Sequence, residues 1–272
     1  MINFNNNIVL SIIKWGVILY VLIGIALYFL QDFFLFHPIK LPRTYQYVFS
    51  VPFEEIDIPF NKTGTINVVK FLSLKSVTKG AVIYFHGNKG NINRFAKFAG
   101  NFTRQGYEVW MPDYPGYGKS IGDRSEKILY QQAELIYSLV GAKFSKDNIV
   151  IYGKSLGTGI AAYLASVKDC KQLILETPYY SIPDLFAYYA PIYPSKLISQ
   201  YNLPTYQYLQ KIKVSITIFH GTNDRIIPYS CALKLQPLLK SSDQFITIKN
   251  GTHNNLNDFL VFHQKLDSLL AQ

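Results

Sequence analysis

Cysteine is scarce in this chain. The 272 residues hold two, Cys170 and Cys231. They lie far apart, each near apolar residues, with neither metal-ligand spacing nor the pattern of a disulfide framework. They read as buried free thiols, and no metal site is expected. Acidic side chains are outnumbered, 17 against 27 basic ones, for a formal net charge of +10. That charge is scattered: no run of five Lys or Arg and no nucleic-acid module occurs, so nucleic acid is not an expected partner. A basic surface of this kind is either simply solvated or drawn to anionic lipid head groups. Repeats and low-complexity tracts are missing too, which excludes solenoid and largely disordered classes.

What is present is apolar: 49% of the chain, with 15% aromatic residues. That is ample for a sizeable core, and the length suits one large domain or two small ones. Residues 8–30 are apolar except for Ser11 and Lys14, with glycines at 16 and 24. As a helix the run covers about 30 Å, the thickness of the hydrocarbon core. Lys14 beside Trp15 fits a snorkelling cation and an interfacial aromatic. A cleaved signal peptide is the rival reading. Against it, the preceding tail carries no Lys or Arg and no Ala-x-Ala-like site follows. The run is therefore expected to be a retained single-span anchor. The segment Asp32-Phe33-Phe34-Leu35-Phe36-His37-Pro38 is expected to re-enter the membrane interface. Lys40 and Arg43 beyond the span, against Lys14 on its N-terminal side, lean slightly towards a cytoplasmic position for the rest of the chain.

From about residue 40 the pattern changes to strands alternating with helices. Residues 54–59 and 66–72 read as an antiparallel pair, and 81–85 as a buried strand. A helix over 93–105, a strand over 107–111 and an amphipathic helix over 125–144 follow. The last has its apolar face at Ile128, Leu129, Leu135, Ile136, Leu139 and Val140. Strands at 149–152, 173–175, 216–219 and 245–248 alternate with helices after residue 157, over 229–239 and over 256–270. Such alternation implies an α/β fold with a mostly parallel sheet covered on both faces, and ligands at the carboxyl ends of its strands.

Gly153-Lys154-Ser155-Leu156-Gly157 stands between the 149–152 strand and a small-residue helix. A serine on a sharp strand-to-helix turn is the arrangement of an exposed nucleophile, and glycines two residues to either side relieve the crowding there. A hydroxyl needs a base to take its proton and a carboxylate to orient that base. Asp224 follows the 216–219 strand in His220-Gly221-Thr222-Asn223-Asp224, as either that acid or a turn aspartate. His253 follows the last strand in a polar loop, as either that base or a surface histidine. Asp243 and Asp258 are fallback acids. Charge developing on a carbonyl oxygen needs donors already aimed at it. The backbone N–H of Leu156 is one candidate, and that of Asn88, in the glycine-containing loop after residue 85, is the other. That loop matches neither the dinucleotide nor the Walker pattern.

Several stretches occur together and in order from about residue 50 to the end: Phe85-His86-Gly87-Asn88, Asp113-Tyr114-Pro115-Gly116-Tyr117-Gly118-Lys119-Ser120, the Ser155 pentapeptide, Glu176-Thr177-Pro178-Tyr179, the Asp224 loop, and Gly251-Thr252-His253. On these the chain resembles α/β-hydrolase-fold serine hydrolases of the membrane-anchored, serine-aminopeptidase-like branch. That branch includes lysophospholipid hydrolases and protein depalmitoylases. Pro115 and Ser215 depart from the family's usual Arg and Pro, away from the chemistry. The resemblance implies an α/β-hydrolase fold over 41–272, after an anchor and juxtamembrane segment over 1–40. It also implies a short cap over about 179–213, rich in tyrosine and proline: either a minimal lid over an acyl pocket or plain aromatic packing.

Ser155, Asp224 and His253 are then the implied triad, with no metal or organic cofactor. Ester or thioester cleavage of an acyl or lipid-like substrate is the expected activity. A peptidase of the serine aminopeptidase type and a non-catalytic membrane scaffold are the alternatives. The oligomeric state is not legible.

Overall fold

The computed structural model describes residues 6–271. The N-terminal run forms helix α1, Asn6–Phe29. It is apolar on every side, without proline or acidic side chains, and is long and apolar enough to cross a membrane. A five-residue helix, α2 (Gln31–Leu35), follows at once. The segment expected to lie in the interface is fastened to the globular body by part of its side chains. Phe36 is buried edge-on against Tyr201, and Asp32 accepts from Arg124 Nη2 and from the Tyr201 hydroxyl. His37–Pro38 then pairs in parallel with Lys89–Gly90. Phe33, Phe34 and His37 stay exposed there.

Eight strands form one sheet: β1 (Phe53–Pro59), β2 (Thr65–Phe71), β3 (Gly80–Phe85), β4 (Tyr107–Pro112), β5 (Ile149–Lys154), β6 (Gln172–Glu176), β7 (Ser215–Gly221) and β8 (Gln244–Ile248). Their spatial order is β1-β2-β4-β3-β5-β6-β7-β8. β2 runs antiparallel to both neighbours, and every pairing from β4 to β8 is parallel.

The central strands read as continuous apolar runs because both faces are covered. Ile83, Ile151, Leu173 and Ile218 face helices α3 (Glu126–Gly141) and α4 (Gly157–Val167). Residues 179–213, the expected cap, contribute helix α5, Ile182–Tyr189. On the other face, Val82, Tyr84, Tyr152, Ile174 and Phe219 meet Phe102 and the closing helix α6, Leu260–Ala271. Ser125 caps α3 by accepting from Ile128 N–H. The buried stripe of α3 is Leu129, Tyr130, Ala133, Ile136 and Val140, a 3.6-residue spacing. It is rotated from the expected face, and Leu139 is exposed.

The helix expected over 93–105 is broken into Ile92–Phe95, a 3₁₀ turn at Ala96–Phe98, and Gly100–Thr103. Gly100 and the packing of Phe95 and Phe102 onto the sheet override the simple period. The 229–239 helix is likewise cut short. It is α-helical only over Tyr229–Leu233, and a 3₁₀ turn follows at Gln236–Leu238. Pro237 explains the break, since its ring removes a backbone donor and crowds the preceding turn. The closing helix is preceded by a separate turn, Leu256–Asp258.

Candidate active site

Ser155 follows β5 directly and α4 begins two residues later, so the chain reverses at one residue. Its φ is 52°, a left-handed conformation that costs a side-chain-bearing residue roughly 1–3 kcal/mol. Three bonds hold it: Ser155 N–H donates to Glu176 O at 2.9 Å, and Ser155 O accepts from Thr158 N–H at 2.9 Å and Thr158 Oγ1 at 2.6 Å. The flanking glycines are needed for close approach. A Cβ on Gly153 would lie 2.6 Å from Gly157 O, and one on Gly157 would lie 2.1 Å from Phe85 O.

The loops after β7 and β8 lie against each other. Asn223 N–H donates to Gly251 O at 2.8 Å, and a Cβ on Gly221 would lie 2.2 Å from the same oxygen. This contact brings Asp224 to His253. His253 Nδ1 donates to Asp224 Oδ2 at 2.8 Å, and His253 Nε2 lies 2.8 Å from Ser155 Oγ. A carboxylate only accepts, so the proton of a neutral ring sits on Nδ1, and Nε2 accepts from the serine hydroxyl. The other Asp224 oxygen accepts from the backbone N–H groups of Ile226 and Ile227. Burial pushes the Asp224 carboxyl up, but the His253 hydrogen bond and charge, with the Ile227 N–H, outweigh it and leave the pKa below 3.8.

Of the other histidines, His220 is the one beside the triad, its Nε2 3.4 Å from Asp224 Oδ2. His220 Nε2 donates to Ile227 O, and burial holds its pKa below 6.5. His86 lies between Gly87 O and Asp113, and His263 Nε2 donates to Asn257 O. The fallback acid Asp243 accepts from Ile216 N–H and Lys240, at the opposite end of β7. Asp258, the other fallback, ends the turn before α6.

The Asn88 peptide is tightly held. Its oxygen accepts from His37 N–H at 2.9 Å and the Tyr117 hydroxyl at 2.6 Å, while its side chain donates to Leu35 O. Tyr114 and Tyr179 fasten the neighbouring peptides by donating to His86 O and Leu156 O. A cleft of about 150 Å³ lies among Gly87, Asn88, Phe95, Ser155 and His253, with Lys89 and Arg94 at its edge. Leu156 is buried behind it at the start of α4.

Beneath the turn, Lys154 Nζ bonds Glu176 Oε1, with Tyr152 donating to Oε2 and Asn257 Nδ2 to Oε1. Sequence patterns along the chain do not announce this network. Its signal is the pairing of adjacent parallel strands: Lys154 and Glu176 are register partners, so their side chains share a face. Among the described residues no cluster of His, Cys, Asp and Glu fit for a metal occurs.

A mixed sheet of this strand order, with a strained serine after β5 and a histidine after β8, defines the α/β-hydrolase fold. The family model of serine aminopeptidase, S33, matches residues 76–208. α/β-Hydrolase domain-containing protein 17C of Xenopus tropicalis is 25% identical over 209 residues, 74% of this chain and 64% of that protein, so the chain spans just under two thirds of this relative. The Homo sapiens protein of that name is 23% identical over 228 residues, 80% of this chain and 67% of its own length. Among solved structures, an esterase of Pyrococcus furiosus superposes with a TM-score of 0.63 at 18% identity, covering 85% of this chain and 98% of its own. Est1E of Butyrivibrio proteoclasticus gives 0.64 at 17% identity, over 79% of this chain and 97% of its own. The chain has the α/β-hydrolase fold and is similar to α/β-hydrolase domain-containing proteins of the serine-hydrolase type.

Proposed function

We propose that this protein is a membrane-held serine hydrolase that cleaves carboxylic esters or thioesters through an acyl-enzyme. The observation that carries this reading is the unbroken chain Asp224–His253–Ser155, joined by two hydrogen bonds of 2.8 Å. Ser155 Oγ attacks the carbonyl carbon as His253 Nε2 takes its proton. The oxyanion is received by the backbone N–H groups of Asn88 and Leu156. Collapse breaks the bond to the leaving alcohol or thiol, which takes the proton from His253. A water then gives a proton to His253 and attacks the acyl carbon; the bond to Ser155 Oγ breaks, Oγ takes the proton from His253, and the acid is released. Asp224 holds the tautomer throughout. No cofactor enters the sequence.

Charge in the cleft favours esters over aminopeptidase substrates. The charged side chains lining it are Lys89, Arg94 and Lys154, and no carboxylate lines it to receive a peptide ammonium. Helix α1 would hold the site beside a bilayer, with the hydrolase domain on the cytoplasmic side as the flanking cations favour. Fluorophosphonate labelling of the purified protein, lost in Ser155→Ala, tests the mechanism. Equal labelling of both proteins would sink it. A panel of acyl esters, acyl thioesters and aminoacyl amides separates the ester, thioester and peptidase readings.

A further inference from the structure

Beside the cleft lies a second cavity of about 510 Å³, within the ~300–1,000 Å³ range of small-molecule sites. One wall comes from the membrane end of the molecule: Leu27 in the last turns of α1, with Phe34 and Leu35 of α2. The facing wall is the cap helix α5, through Ile182, Leu185 and Phe186. At its inner end Asn88 and Ile226 line this cavity and the Ser155 cleft alike. Arg225 is the one charged residue in the lining.

The two walls are fastened together. Tyr20 of α1 stacks on Tyr193 at 4.6 Å, and its hydroxyl donates to Ile192 O. Gln31, buried at 6% exposure, donates to Ile198 O at 2.6 Å and accepts from Gln200 N–H at 2.7 Å. The anchor is thus a structural part of the cap.

We infer that this cavity is the acyl-chain subsite of the hydrolase, walled in part by the membrane anchor and filled from the bilayer at the end of α1. Its occupant is a single hydrocarbon chain of a membrane-resident ester or thioester. The apolar lining takes the chain, the polar end reaches Asn88 and Ser155, and Leu27 lies two residues before the end of the span. A substrate chain passes from lipid to the site between α1 and α5 without crossing water. This inference rests on the serine-hydrolase reading for what happens at Ser155, though not for whether a chain binds.

Two measurements test it. In detergent, Leu27→Trp and Ala190→Trp, the latter at the cavity-lining residue just after α5, narrow the cavity from opposite walls and are expected to lower the palmitoyl-to-acetyl ratio of p-nitrophenyl ester kcat/KM about tenfold or more. Leu22→Trp, on the exposed side of the same helix, keeps that ratio. A ratio within twofold of wild type in both cavity variants, or an equal fall in Leu22→Trp, overturns the inference. In the unmutated protein, a photoreactive palmitic acid is expected to crosslink α5 peptides containing Leu185 and Phe186 as well as Leu27. Crosslinks confined to lipid-facing positions such as Leu22 overturn it. Crosslinking needs no turnover, so loss of fluorophosphonate labelling with α5 crosslinks intact would condemn the hydrolase reading and leave the cavity assignment standing.

Discussion

Lys154 and Glu176 form an ion pair directly behind Ser155, with side chains 4% and 1% exposed. The same Glu176 supplies the backbone oxygen that holds Ser155 N–H. Removing one partner of such a pair leaves a buried charge without compensation, at about 3–5 kcal/mol. Lys154→Met and Glu176→Gln should each lower the melting temperature strongly. The double variant, in which both charges are gone and Gln still accepts from Tyr152, should be less destabilised than either single one. Additive losses in a double-mutant cycle would argue against the coupling.

Asp224→Asn should reduce kcat about a thousand- to ten-thousand-fold while changing KM little, because the amide favours the wrong imidazole tautomer. Steady-state kinetics on a short ester checks this. A loss confined to KM would mean that Asp224 acts in binding.

Acid stability should depend on the same residue. The pKa of Asp224 is lower folded than its ordinary 3.8. The stability it contributes is therefore full above about pH 4 and is lost as pH falls through the folded value. The melting-temperature gap between wild type and Asp224→Asn should narrow on acidification below about pH 4. A gap that widens would contradict the sign.

Gly157→Ala should be destabilising by about 1–3 kcal/mol, as overpacking is. The new methyl would meet Phe85 O, and the displaced backbone leads into the Asn88 loop, so ester turnover should fall as well. Thermal melts and kcat together check both effects.

Burial pushes the Cys170 thiol up to about 12 and raises that of Cys231. Both should resist alkylation by iodoacetamide at neutral pH in the folded protein and react on denaturation. Mass spectrometry of the two cysteine peptides reads this out.

Much of the fold is legible along the chain because hydrophobic periodicity is local. The run over 81–85 becomes β3, buried on both faces, and the small residues after Ser155 become α4. Periodicity misleads where packing outweighs it. Residues 93–105 leave the α-helix after Phe95, and the aromatic segment after α1 finds Tyr201 and Arg124, more than eighty residues away.

The sequence by itself determined the strand–helix alternation, the apolar N-terminal helix and the glycine-flanked serine, each a pattern within a dozen or so neighbours. It named Asp224 and His253 only as candidates. The tertiary structure decided that they meet, because the β7 and β8 loops abut at Gly221 and Gly251 and so carry the ring to Ser155. The tertiary structure also set Lys154 beside Glu176 through strand register, and laid α1 and α2 along the cap to enclose an apolar cavity. Periodicity acts between near neighbours, whereas these contacts depend on the order in which strands join a sheet.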